Sequence, residues 1–146
     1  MLRILKYQKR MVVIGLCVFN LFATNYAVAD VAIIVHPSNT STFDKSTIKK
    51  IFLGKKKSFS NSRIAILLSS PPKSTATEEF NKKVIGKSRN QVNAYWSKMI
   101  FTGKGTPPQE MPSTDEIISA IAANPDAIAY IDSSEVTDAV RIVATF

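Results

Sequence analysis

The sequence is poor in the residues that carry most catalytic and metal chemistry. Its 146 residues include one cysteine, one histidine and five glycines. Cys17 lies in the apolar N-terminal segment, so residues 30–146 contain no disulfide and no thiol. With His36 as the single histidine and no Gly-rich nucleophile elbow, there is no recognisable catalytic triad. No cluster of His, Cys or carboxylate residues has the spacing of metal ligands. The sequence therefore indicates a binding protein without enzymatic activity, cofactor or metal.

The N-terminus has the pattern of a secretory signal peptide. Four basic residues within positions 3–10 precede an apolar run from Met11 to Ala23, and small residues follow at Ala27 and Ala29. The apolar run is short compared with the roughly 20 residues that a membrane-spanning helix needs, which disfavours an uncleaved anchor. We therefore expect that residues 1–29 are a signal peptide cleaved after Ala29, and that the product is periplasmic.

The charge that remains after this cleavage is small. Residues 30–146 keep 15 of the 19 basic residues and all 11 acidic residues, so the net charge falls from +8 to +4. The sequence contains a run of three lysines, Lys55-Lys56-Lys57, but no aromatic–basic array surrounds it. Such a run is typical of a solvated face, and we expect no nucleic-acid partner.

Four apolar runs indicate strands, at residues 32–35, 64–68, 127–131 and 140–145. Segments with helical periodicity separate them, and no repeat, low-complexity tract or linker interrupts the sequence. Strands that alternate with helices predict an α/β sandwich, with helices on both faces of a mostly parallel sheet. We expect one domain spanning residues 30–146.

Local signals mark the ends of three helices. Asp44 is expected to cap the N-terminus of the first helix, and Gly54 to close it in the left-handed conformation. Thr75 and Glu78 fit a capping box at the start of the second helix. The segment Ser88-Arg89-Asn90-Gln91 fits another capping box at the start of the third.

The third helix carries an apolar stripe. Its members, which recur at helical spacing, are Val92, Tyr95, Trp96, Met99 and Ile100. Such a stripe could form a platform for a ligand, but this spacing is more typical of core that covers one face of a sheet. We expect the stripe to be the main core contribution of this helix.

Two loops rich in hydroxyl groups follow the first two strands. In a mostly parallel sheet both lie beyond the carboxyl ends of strands, where α/β folds bind ligands. Hydroxyl groups beside helix N-termini can bind phosphate or sulfate, and Lys73 adds a positive charge. The alternative is that these residues cap helices and shape turns, and Glu78 and Glu79 would repel an anion. The candidate ligand-binding residues are Ser38, Asn39, Thr40, Ser70, Lys73, Ser74, Thr75 and Thr77.

Three segments resemble the periplasmic phosphate-binding proteins of ABC transporters. Residues 43–55 look like the segment in which a helix of those proteins ends in a Phe-Leu-Gly-Lys-type turn. Residues 124–130 resemble their Pro-Gly-Ala-Ile-Gly-Tyr segment, with Asp126 and Ala129 in place of glycines. Residues 95–103 look like the small, exported, single-domain branch of the superfamily. The resemblance implies a single-lobe fold like that of periplasmic binding proteins.

The same resemblance has implications for the ligand. Ser74, Thr75, Ala76 and Thr77 fall on the Ser-Gly-Thr-Ser segment that holds the anion in full-length receptors, and Ser70 stands where those receptors have an arginine. This implies weak binding of phosphate or another oxyanion, alone or with a membrane transporter or another envelope protein. The alternative is a ligand-free interaction module in the envelope that keeps the fold.

Overall fold

The computed structural model of the protein describes residues 30–146, and the expected signal peptide lies outside them. Strands and helices alternate along these residues, as the apolar runs predicted. The strands are β1 (Val31–Val35), β2 (Ile66–Ser69), β3 (Gln109–Glu110), β4 (Ala127–Asp132) and β5 (Arg141–Thr145). The helices are α1 (Lys45–Phe52), α2 (Thr75–Phe80), α3 (Arg89–Phe101) and α4 (Thr114–Ala123). A π-helical turn, Asn81–Ile85, continues α2, and a 3-10 turn, Ser133–Glu135, follows β4.

The strands form a five-stranded open sheet in the order β3-β2-β4-β1-β5. Strand β2 runs parallel to β3 and β4, whereas β1 runs antiparallel to β4 and β5. The sheet is therefore mixed, and the expectation of a mostly parallel sheet is wrong on this point. An apolar run identifies a strand but not its direction, because direction depends on pairing between distant residues, such as Val31 with Asp132.

Helices cover both faces of this sheet, which confirms the predicted α/β sandwich. Along β1, Val31, Ile33 and Val35 belong to a core shared with α1 and α2. The alternate residues Ala32 and Ile34 belong to a second core shared with α4. All five side chains are fully buried. Because successive side chains of a strand point to opposite faces, a continuous apolar run is the expected sequence for a strand between two layers of helices.

The local signals predicted the ends of α1 and the start of α3 correctly. Asp44 caps α1 by accepting a hydrogen bond from the Thr47 N–H at 3.0 Å, and Gly54 beyond its C-terminus has a φ of 66°. Ser88 and Gln91 form the reciprocal capping box at the start of α3. Within residues 30–146, none of the helices is long and apolar enough to cross a bilayer.

Helix α3 does not supply the core that was expected of its stripe. Trp96, at 7% exposure, is its one buried residue, whereas Ile100 is 56% exposed. Val92 and Tyr95 are partly buried against the core of α1 and α2. Helical spacing shows which residues share a face of a helix, but not how closely that face approaches the sheet.

Candidate functional site

The two hydroxyl-rich loops lie at opposite ends of the strands in the sheet. Strands β1 and β2 both pair with β4 but run in opposite directions, so their carboxyl ends reach opposite ends of β4. Asn39 Nδ2 donates to the Pro125 carbonyl oxygen, just before β4, at 3.4 Å. Ser70 Oγ donates to the Tyr130 carbonyl oxygen, in the second half of β4, at 2.8 Å. The expectation that both loops converge on one site is therefore wrong.

The first loop is shaped by its own side chains. Ser38 Oγ lies 2.7 Å from His36 Nδ1. Asn39 is buried, and its Oδ1 accepts a hydrogen bond from the Ser41 N–H at 3.0 Å. Thr40 is exposed. These contacts give Ser38 and Asn39 a turn-forming role, the alternative to ligand binding for these residues.

The second loop brings three candidate residues together at the carboxyl end of β2. Ser74 Oγ and Thr77 Oγ1 lie 3.1 Å apart, and Thr77 Oγ1 lies 3.2 Å from the carbonyl oxygen of Ser70. Ser70 and Thr77 are buried. Lys73 and Thr75 are exposed. Ser70, Ser74 and Thr77 are therefore the candidates that the fold gathers at one place.

A fourth hydroxyl group, from Tyr130, joins them, although the sequence did not single it out. The Tyr130 OH lies 3.2 Å from Thr77 Oγ1, and its ring stacks on that of Phe80 with centroids 4.0 Å apart. Burial raises the pKa of Tyr130, an effect that hydrogen bonds to Thr77 and Ser69 oppose. The phenol therefore stays protonated at neutral pH and can donate a hydrogen bond. We call the following residues the hydroxyl cluster: Ser70, Ser74, Thr77 and Tyr130.

The start of α2 uses part of the hydroxyl cluster. Its cap is Ser74 rather than Thr75, because Ser74 Oγ accepts a hydrogen bond from the Thr77 N–H at 3.2 Å, so the capping box predicted at Thr75 is wrong. Ser74 Oγ and Thr77 Oγ1 also lie 2.8 and 2.9 Å from the Pro71 carbonyl oxygen. Since each hydroxyl has a single proton, a ligand here competes with that carbonyl for it.

A cleft of about 410 Å³ opens between the hydroxyl cluster and α3. Ser70, Thr77 and Tyr130 are among its lining residues. The lining residues from α3 are Arg89, Val92, Asn93, Trp96, Ser97 and Ile100. The apolar stripe of α3 is thus core at Trp96. Elsewhere it forms a wall of the cleft, as the alternative of a ligand platform predicts. Residues 30–146 hold no group of three or more His, Cys, Asp or Glu residues placed to bind a metal ion.

Arg89 and Glu110 are the charged residues that line the cleft within residues 30–146. Arg89 Nη2 donates to Glu78 Oε1 at 2.8 Å, and the Arg89 Nε is buried without a hydrogen-bond partner among those residues. A buried donor without a partner is unfavourable. One sequence pattern indicated the polar wall of the cleft. Arg89, Asn93 and Ser97 recur every four residues, so they share one face of α3.

Comparison with known proteins adds a family and several related folds. The family model of a PBP superfamily domain matches residues 7–144. An ABC-type phosphate transport receptor from Vibrio cholerae aligns with a TM-score of 0.60 and 14% identity, over 80% of this chain and 46% of its own. A putative phosphate ABC transporter substrate-binding protein with bound phosphate, from Clostridium perfringens, aligns with a TM-score of 0.60 and 22% identity, over 80% of this chain and 45% of its own.

PstS from Borrelia burgdorferi aligns with a TM-score of 0.59 and 14% identity, over 80% of this chain and 47% of its own. The chain therefore spans less than half the length of each of these three structures. No curated protein matches the sequence. At these identities the structural likeness shows the fold.

Proposed function

The chain belongs to the PBP superfamily, and we propose on that basis that it is an exported solute-binding-type protein without enzymatic activity. Its ligand is phosphate or another oxyanion, held weakly or together with a partner such as a membrane transporter or another envelope protein. The family and the related folds support a solute-binding role. The choice of an oxyanion rests on the chemistry of the cleft and on the Clostridium perfringens protein, which is described with bound phosphate.

The observation that carries the proposal is that Arg89 lines the same cleft as three members of the hydroxyl cluster, Ser70, Thr77 and Tyr130. Ser70 stands where the resemblance places an arginine, and its own proton goes to the Tyr130 carbonyl oxygen. Arg89 supplies a cation to this cleft from α3 instead. An arginine can hold an oxyanion through two parallel N–H bonds, which makes it a stronger partner than a single hydroxyl. In this proposal the anion lies between Arg89 and the hydroxyl groups of Thr77 and Tyr130.

The remaining candidates have lesser parts in this proposal or none. Ser74 orients Thr77 through their contact at 3.1 Å. Lys73 and Thr75, both exposed, add charge and a hydroxyl group at the rim of the loop. The first loop, residues 36–42, lies at the opposite end of the strands and is not part of this site.

A ligand-free interaction module in the envelope is the second candidate, because most polar groups at the site already have partners. Ser74 and Thr77 can donate to the Pro71 carbonyl oxygen, and Glu78 accepts from Arg89. A site whose donors are satisfied internally gains less from binding an anion.

Calorimetric titration of the purified protein with phosphate and sulfate at low salt separates the two candidates. We expect weak binding by the parent, and its loss in Arg89→Gln. Arg63→Gln is the matched control, since Arg63 pairs with Asp126 beside the start of β4, away from the cleft, with Nη2 and Oδ2 2.9 Å apart. If no oxyanion produces a response at millimolar concentration, the receptor proposal gives way to the interaction module.

Export is part of the same proposal and has its own test. The expected signal peptide, residues 1–29, lies outside the described residues. Mass spectrometry of the protein from its native cells should give an N-terminus at Asp30. A product that retains Met1 would contradict cleavage and periplasmic release.

A further inference from the structure

The cleft is larger than an inorganic oxyanion requires. Its volume of about 410 Å³ lies within the range of ~300–1,000 Å³ that is typical of pockets for small organic molecules. The residues of α3 that line it extend from Arg89 to Ile100, a length of about 16 Å at ~1.5 Å per residue. Arg89 lies at one end of this length. The rest of the cleft suits a ligand that has a body as well as a charged group.

Apolar side chains form much of the wall beyond Arg89. Trp96 and Ile100 contribute from α3, and Pro107 and Pro108 contribute from the segment that follows it. Removing apolar ligand surface from water against such walls is favourable in proportion to the area buried. An inorganic anion has no apolar surface to bury and loses hydration there. The walls therefore favour an organic body over a bare ion.

The charges of the cleft limit the ligand to one strongly anionic end. Arg89 is in the first turn of α3, whereas Glu110 is in β3, where it pairs with Ser69 beside the hydroxyl cluster, and its charge contributes to the raised pKa of Tyr130. The Glu110 carboxylate would repel a second anionic group, but it could accept a hydrogen bond from a hydroxyl or ammonium group. A ligand with a single anionic group therefore suits the cleft, with that group on the Arg89 side.

We propose that this cleft binds an organic oxyanion, with one phosphate or carboxylate head group on an apolar body, in preference to inorganic phosphate. The head group contacts Arg89, Thr77 and Tyr130, and the body lies along Trp96 towards Ile100. This inference rests on the proposed function, because the head group occupies the oxyanion site described above.

The fluorescence of Trp96 provides a direct test, since it is the single tryptophan of the sequence. The protein is titrated at low salt with phenyl phosphate, inorganic phosphate and benzyl alcohol. We expect phenyl phosphate to change the Trp96 emission and to bind at least tenfold more tightly than either of the other two compounds. Equal affinity for phenyl phosphate and inorganic phosphate would overturn the inference and leave the proposed function standing.

Two further results would also count against it. Benzyl alcohol that binds as tightly as phenyl phosphate would exclude a role for the anionic head group. No binding of any of the three compounds would overturn the inference and the proposed function together.

A matched pair of variants locates the body of the ligand. Ser97→Phe adds a ring to an exposed residue that lines the cleft, and Ala94→Phe adds the same ring to an exposed residue of α3 outside the lining. We expect Ser97→Phe to remove the tenfold preference for phenyl phosphate and Ala94→Phe to retain it. If Ser97→Phe keeps the preference, or Ala94→Phe loses it as well, the body does not lie along this face and the inference is wrong.

Discussion

The Glu78 carboxylate is paired with Arg89 and should weaken the binding of an anion to that arginine. Arg89 Nη2 donates to Glu78 Oε1 at 2.8 Å, and the two side chains are 37% and 64% exposed. A carboxylate next to the cationic partner of a ligand repels that ligand. We expect Glu78→Gln to strengthen oxyanion binding, because glutamine keeps an acceptor for Arg89 and removes the negative charge.

Coulomb's law gives the size of this effect. Two unit charges ~4 Å apart in water interact by about 1 kcal/mol, and the energy falls as the distance grows. An anion that shares Arg89 with Glu78 lies on the other side of the guanidinium group, and both carboxylate and anion are solvated. A repulsion of ~0.3–1 kcal/mol is therefore expected, which corresponds to a change in affinity of about two- to fivefold. Stability should change little, because exposed ion pairs contribute ~0–1 kcal/mol.

The assay is calorimetric titration of the parent, Glu78→Gln and Glu116→Gln with phosphate. Glu116 is exposed in the first turn of α4, on the other face of the sheet, so its substitution makes the same change in net charge. We expect tighter binding only in Glu78→Gln, and loss of the difference near 1 M salt, where the screening length is ~3 Å. An affinity of Glu78→Gln no higher than that of Glu116→Gln would refute binding beside Arg89.

Three further predictions concern the structure around the cleft. Trp96→Ala should lower the free energy of unfolding, measured with denaturant, by about 3 kcal/mol. This is the lower end of ~3–5 kcal/mol for such truncations, because one side of the ring borders the cleft. A variant as stable as the parent would contradict this. Gly54→Ala and Gly103→Ala should lose similar stability in the same assay, because both glycines have positive φ (66° and 65°) and a Cβ at Gly54 would lie at an ordinary contact distance of 3.4 Å from Trp96 Cη2, while one at Gly103 would meet nothing within 4 Å. A clearly larger loss in Gly54→Ala would contradict this. Burial raises the pKa of Tyr130 above its ordinary value of 10.0, so its contribution to stability is present below that pH and is lost as the pH rises towards the folded-state pKa. When the pH is raised from about 9 to 11, the free energy of unfolding of Tyr130→Phe should therefore fall less than that of the parent protein. Equal decreases in the two proteins would contradict this.

The features that could be predicted from the sequence are those in which the interacting groups are neighbours along the chain. The Asp44 carboxylate caps a helix through an N–H only three residues away, at Thr47. Ser88 and Gln91 satisfy each other's backbone donors over the same spacing. Gly54 closes α1 because a left-handed residue is easiest for glycine. Such contacts form whatever the rest of the fold does, so a short segment of sequence is enough to identify them.

Strand direction and the composition of the candidate site depend on contacts between residues that are distant in the sequence. The local sequence patterns carried no information about those contacts. Ile33 and Ile34 are fully buried in the two separate cores, and they would be equally buried if β1 ran parallel to β4. The reversed direction of β1 moves the first loop away from the second. Tyr130 meets Thr77, and Arg89 reaches the same cleft, through tertiary packing. The four-residue spacing of Arg89, Asn93 and Ser97 marked a face of α3, but it did not show what that face meets.

The position of Arg89 depends on how α3 is held against the rest of the domain, and this dependence can be tested. Tyr95 OH donates to the Leu53 carbonyl oxygen at 2.6 Å, which ties α3 to the end of α1. Tyr95→Phe keeps the ring but removes that bond, so it should lower stability by about 1 kcal/mol. It should also weaken oxyanion binding about two- to fivefold, because greater motion of α3 displaces Arg89 from the hydroxyl cluster. Thr102→Ala is the control, since it removes a bond of 2.8 Å to the Lys98 carbonyl oxygen within the exposed end of α3 and leaves the tie to α1 intact. Phosphate titration and denaturant unfolding of both variants give the result: if Tyr95→Phe binds phosphate as tightly as Thr102→Ala, the attachment of α3 does not position Arg89.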